Sequence, residues 1–300
     1  MDRIGLLVLG SQAPLILDAV LDGLDDARFR VFLHVDAKLP LEDYTRHLRN
    51  LPRITLVEPR TKVFWGGFSM IEAETTLIRA ALADPSIRTF AMLSDDAAPV
   101  RRSEVLYAAL RDGPNRMSFD VRDDVQPWYR GFYYPDSEFS MYRDRAWQER
   151  TVAEGDLDNL RRLVALRERG KKPLDRVYFS RQWWTLDRAS VEAILRRMEE
   201  DPHLTESFRF SVMSDELMFA TIFQLLHPGR VTLGVPMCMH FTPHCRTFHH
   251  PAELAELRVQ PDHLFARKLH PERVEMVEMV RALGDRVDVA VGLPPHGGQA

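Results

Sequence analysis

IGLLVLGSQAP, residues 4–14, decides how the chain is to be read: an apolar run from Ile4 to Leu9, broken only by a glycine, enters a small polar bend closed by proline. A run of this length suits a buried strand and is too short for a membrane span or the core of a signal peptide. Similar runs follow, VFLHV at 31–35, ITLV at 54–57 and TFAML at 89–93, with amphipathic stretches near 13–24, 41–50 and 70–83 between them. This alternation predicts an α/β fold, a Rossmann-like, mostly parallel sheet with helices on both faces.

Composition narrows the function classes. A net charge of -4 over 300 residues gives no global attraction to nucleic acid or to an anionic membrane. The basic cluster from Arg161 to Lys172 reads as a solvated helix face, because no nucleic-acid reader motif accompanies it. Two cysteines, Cys238 and Cys245, argue against a disulfide framework, so a reducing cytoplasm is expected. Residues 1–290 are expected to form one domain of two halves, 1–120 and 121–290. The tail 291–300 is expected to be loose.

In such sheets ligands bind beyond the carboxyl ends of the strands. Here those ends are GSQAP (10–14), HVDAK (34–38), the WGG corner (65–67) and SDDAAP (94–99), all small or polar. Asp36 in HVDAK either accepts hydrogen bonds from a ribose or base, or caps the following turn. In VFWGGFSMIEA, Gly66 and Gly67 allow a ligand to approach the backbone closely, and Ser69 with Glu72 has capping-box spacing for the helix that follows. That helix start offers amides to an anion; alternatively Trp65 is a lid packed on the core. Asp95 and Asp96 are adjacent, so on extended chain they point to opposite faces. They do not grip one metal ion, and one of them, assigned as Asp96, faces the site.

SDELMFATIFQLL (214–226) reads as a helix with Ser214 as N-cap and Asp215 and Glu216 in its first turn, where the dipole favours an ionised carboxylate fit for general-base work or for capping alone. Arg246 in CRTF and the pair Arg267–Lys268 in FARK could together neutralise a diphosphate. The Cys and His residues of PMCMHFTPHCRTFHH, including Cys238, His240, His244, Cys245, His249 and His250, lack a standard zinc spacing. Residues 121–150 interleave aromatics with charges and suggest a long folded loop over the sheet. Further on, a helix at 157–170, a strand around 177–186, helices at 188–200 and 215–226 and a strand at 230–235 are predicted.

Taken in order, HVD at 34–36, FWGGFSMIEA at 64–73, LSDDAAP at 93–99, SRQWWTLDRASV at 180–191, SDELMFATI at 214–222, CRTF at 245–248 and FARK at 265–268 resemble the core-2/I-branching β-1,6-N-acetylglucosaminyltransferase family, which includes the peptide O-xylosyltransferases. The resemblance implies a GT-A fold and an inverting, metal-independent transfer from a UDP-sugar, a co-substrate rather than a cofactor, to a hydroxyl of a glycan or other acceptor. By this resemblance Glu216 is the catalytic base, and Arg246 and Lys268, beside Arg267, hold the diphosphate. Asp36 contacts the uridine, Gly10 and Ser11 line its pocket, and the Trp65–Gly66 corner and Asp96 complete the donor site. Trp183 and Trp184 stand near the acceptor, or are buried beside the sheet. Without an anchor and with two cysteines the chain looks like a cytoplasmic bacterial form, with a possible link to cell-surface polysaccharide machinery. A catalytically silent nucleotide-sugar-binding subunit is the alternative.

Overall fold

The computed structural model describes residues 1–113, 115–133, 136, 154–230, 232–241 and 245–290. Four strands, β1 (Arg3–Gly10), β2 (Phe29–Val35), β3 (Ile54–Leu56) and β4 (Ile87–Ser94), are parallel, and β6 (Thr185–Asp187) closes the sheet antiparallel in the order β3-β2-β1-β4-β6. β1 is buried on both faces from Ile4 to Val8, as a parallel strand covered by helices on either side must be. The predicted α/β sheet is therefore the one found.

Helices α1 (Pro14–Asp22), α2 (Leu41–Thr45), α3 (Phe68–Leu82), α4 (Ser103–Arg111) and α5 (Gln126–Arg130) belong to the first half. The second half supplies α6 (Glu154–Glu168), α7 (Arg188–Glu200), α8 (Pro202–Arg209), α9 (Ser214–Leu226) and α10 (Glu275–Ala290). α3 packs on β1 and β2, α7 on β4, and α9 against α3 and α7. One buried apolar cluster runs from Ile4 to Val280, so both halves share a core. A second, three-stranded sheet joins β5 (Ala98–Pro99), β8 (Phe265–Arg267) and β7 (Met237–Met239) in that order. β8 is thereby clamped to the chain just beyond β4, by pairing Ala98 with Ala266.

Several elements differ from the sequence expectation. α2 stops at Thr45, and residues 230–235 are not a strand: among the described residues there, Leu233 makes only an isolated bridge to Arg116, and the strand follows at β7. Of 177–186 only the end joins the sheet, because Phe179 is diverted to bridge Asp120. Most of the aromatic run at 121–150 and all of the tail lie outside the described residues; within the described part, α5 buries Tyr129 against Phe208. Among the described residues no helix is long and apolar enough to cross a membrane.

The direction of β6 positions the site. An antiparallel strand begins where its parallel neighbours end, and Thr185 pairs with Ala91 near the carboxyl end of β4. Its lead-in, residues 180–184, therefore arrives at the edge where ligands are expected.

Candidate functional site

α9 begins at that edge. Its N-cap is Met213, in the left-handed conformation with φ 56°, and not Ser214, whose hydroxyl donates to the Phe208 carbonyl at 2.8 Å. Glu216 lies in the first turn with its side chain only 12% exposed. Its carboxylate meets Arg181, Nη1 to Oε1 3.5 Å. Burial raises the Glu216 carboxyl above the ordinary glutamate range, and the Arg181, Arg122 and Arg267 guanidiniums pull it back. A carboxylate so placed is a stronger base than a solvated one, yet it has cations to keep it ionised.

Its neighbour behaves differently. Asp215 is buried, and burial together with the Glu216 charge pushes its carboxyl up to about 8. Asp215 therefore favours its protonated form more than Glu216 does, since Glu216 has the cations beside it. Behind this turn lies Glu74 of α3, fully buried, its Oε1 accepting a hydrogen bond from Gln182 Nε2 at 2.8 Å. Burial drives the Glu74 carboxyl well above its usual range.

Residues 181–184 alternate as extended chain does. Arg181 and Trp183 face the site, where the Arg267 guanidinium covers the Trp183 ring at 4.2 Å from its centroid. Gln182 and Trp184 face inward, towards Glu74 and Phe219 respectively. Both tryptophans are buried, at 5% and 1% exposure, so neither offers an open ring to an acceptor sugar; the buried alternative holds for both.

The two adjacent aspartates diverge as expected. Asp95 Oδ2 accepts hydrogen bonds from the Ser11, Gln12 and Ala13 amides at 2.7, 2.9 and 2.9 Å and from the Tyr44 hydroxyl at 2.9 Å. It fixes the bend after β1. Asp96 is held in a two-pronged grip by Arg267, with Nε to Oδ1 3.1 Å and Nη2 to Oδ2 3.2 Å. Asp96 thus orients Arg267, and its carboxylate is already engaged there. Among the described residues no three His, Cys, Asp or Glu side chains converge as metal ligands would.

The donor-side residues are placed as follows. Asp36 Oδ1 accepts from the Lys38 and Val63 amides at 2.9 and 3.2 Å, so it caps its turn and ties β2 to the segment before the WGG corner. Gly10 is buried, and a Cβ there would meet Leu33 at 2.8 Å and the Tyr44 hydroxyl at 2.9 Å; its neighbour Ser11 is exposed. Trp65 is 51% exposed, and Gly66 takes φ 71°, a conformation that favours glycine. The Gly66 carbonyl accepts a 2.8 Å hydrogen bond from the Met213 amide, joining the corner to the start of α9. The N-cap of α3 is Gly67, and the expected Ser69–Glu72 capping box is absent. The anion at this helix start is a side chain of the protein: Asp136 accepts from the Phe68 and Ser69 amides at 3.1 and 3.0 Å and from the Ser69 hydroxyl at 2.7 Å. Glu72 instead pairs with Arg209.

The three basic residues expected together are divided. Arg246 is committed to Glu253 and Glu256, at 2.6 and 2.7 Å. Arg267 and Lys268 lie with Arg181 around Cys245, whose thiol burial raises and whose titration these cations, Arg267 foremost, oppose. Among the described residues no carboxylate or carbonyl holds the half-buried Lys268 ammonium. Arg181, Glu74, Gln182 and Asp136 were not singled out from the sequence. The spacing of Arg181 two residues before Trp183 was the available signal for the first. For Asp136 there was none, since its partner lies far away in the chain.

The model of the Core-2/I-Branching enzyme family matches residues 11–249. In structure, the chain is similar to mouse xyloside xylosyltransferase 1 in its apo form, at 11% identity and a TM-score of 0.36, with 89% of this chain and 97% of that one covered. Comparison with curated proteins gave no match.

Proposed function

The chain belongs to the Core-2/I-Branching enzyme family and is a glycosyltransferase, and from its site we propose an inverting, metal-independent transfer of a sugar, GlcNAc or xylose, from a UDP-sugar to an acceptor hydroxyl. The observation that supports this reading is the meeting of the nearly buried Glu216 carboxyl with Arg181 at 3.5 Å, in the field of Arg122 and Arg267 from distant parts of the chain. Glu216 takes the proton of the acceptor hydroxyl as its oxygen attacks the anomeric carbon. The bond from that carbon to the diphosphate breaks on the opposite face, and UDP leaves with the electron pair. Lys268, whose ammonium has no anionic partner among the described residues, balances the charge that develops there, with Arg181 and Arg267 nearby. Arg246 can join them only by leaving Glu253 and Glu256. Holding donor and acceptor in line supplies the remainder of the acceleration.

The test is UDP release from a panel of UDP-sugars, with and without chelator. Glu216→Gln is expected to lower turnover on the order of a thousandfold and to keep UDP binding. Lys268→Ala is expected to weaken UDP binding itself. Wild-type turnover in the Gln variant would remove Glu216 from the mechanism, and loss of activity with chelator would return a metal to it.

A further inference from the structure

A cleft of about 590 Å³ opens beside Arg181, lined by Arg181, Phe241, His240, Arg258, Gln260 and His263 together with residues of β7. None of Ser11, Asp36, Trp65 or Lys268 lines it, so it is separate from the residues assigned to the donor. Arg181 belongs to both places: one nitrogen approaches Glu216 at 3.5 Å, and its guanidinium lies 4.3 Å from the centroid of Phe241, a ring still 44% exposed. The cleft is unequal in charge. Its acid, Glu256, is already paired with Arg246 at 2.7 Å, whereas the exposed Arg258 guanidinium has no carboxylate partner among the described residues. A partly open aromatic ring beside fixed polar groups suits a sugar, and an unpaired guanidinium fork suits a carboxylate or phosphate on it.

We propose that this cleft binds the acceptor, and that the acceptor is a saccharide carrying an anionic group, a uronate carboxylate or a sugar phosphate, which Arg258 receives while Arg181 keeps the reacting hydroxyl near Glu216. This rests on the transferase reading, but its test does not require turnover. Calorimetric titration compares a glucuronate-bearing oligosaccharide and a phosphorylated one with the carboxyl-reduced, neutral form of the first, on the full chain without donor. At least one anionic probe binds about tenfold or more tightly than the neutral one, and Arg258→Glu abolishes that preference while Arg258→Lys retains part of it. The uronate and phosphate arms identify which anion is read. Equal affinity of all three probes, no binding of any at millimolar concentration, or a preference that survives in an Arg258→Glu protein of unchanged Tm would each overturn the proposal. A chain that binds the anionic probe and releases no UDP from any donor would instead defeat the transferase reading alone.

Discussion

Arg181 Nη1 stands 3.5 Å from Glu216 Oε1, joining the lead-in of the antiparallel strand to the first turn of α9. With burial raising the Glu216 carboxyl and Arg181 the first of the charges that lower it, this contact sets where the acid titrates. Arg181→Met should therefore move the acidic limb of the pH–rate profile upward, on the order of one pH unit, as the carboxylate is lost at higher pH. A limb that stays in place would show that Arg181 does not act on Glu216.

Asp215 has an ordinary value of 3.8 and titrates at about 8 in the folded chain, so the folded state binds its proton more tightly. The stability this adds is fully present below about pH 4, declines as pH rises and is gone above about pH 8. Asp215→Asn fixes the neutral form. Its advantage over wild type in unfolding free energy, read from denaturant melts, should grow between about pH 5 and pH 8, by up to a few kcal/mol. A difference independent of pH would mean that Asp215 is ionised throughout.

Lys172 has the opposite sign. Its ammonium, 4.8 Å from the Tyr129 centroid and 5.1 Å from that of Phe132, has among the described residues only Ser211 Oγ at 3.0 Å and the Phe210 carbonyl at 3.3 Å as polar partners. Burial lowers it from 10.5 to about 7. Between about pH 7 and 10.5 the unfolded chain holds this proton more tightly, so stability rises with pH across that window. Lys172→Met should stabilise the protein most near pH 6, with the gain shrinking towards pH 9; denaturant melts at the two pH values measure it. A gain that grows with pH would reverse the assignment.

Asp136 is the cap of α3, and its loss leaves two helix amides without their acceptor. Asp136→Ala should cost about 1–2 kcal/mol, and Asp136→Asn less, because an amide oxygen still accepts. Thermal unfolding of both variants decides it, and an alanine variant as stable as wild type would mean that water replaces the cap at no cost.

The sheet was legible in the sequence because parallel strands buried on both faces announce themselves as apolar runs, and Ile4–Leu9 and Phe90–Leu93 lie within observed strands. α7 was read with its observed ends, since Asp187 caps it in the ordinary way, its side chain accepting from the Ser190 amide. β7 and β8 were not, because three-residue strands carry no periodicity. The site divided along the same line. The place of Glu216 in the first turn of a helix was legible from its own stretch, whereas the engagement of Arg246 by Glu253 and Glu256 and the capping of α3 by Asp136 depend on which side chains folding brings together. Trp183 and Trp184 show the limit of residue type: an aromatic pair in an extended segment suits a sugar or a core equally, and only the Arg267 guanidinium and the Phe219 ring against them distinguish the two.

Met213 and Gly66 are both left-handed, at φ 56° and 71°, and the Met213 sulfur occupies the place a side chain on Gly66 would need, 2.9 Å from its Cβ position. The direction in which α9 departs and the path of the tryptophan-bearing corner are thus written into one another. A library that varies Gly66 therefore meets two separate barriers, the backbone conformation that disfavours any side chain there and the Met213 side chain in its way, and shortening Met213 lifts only the second.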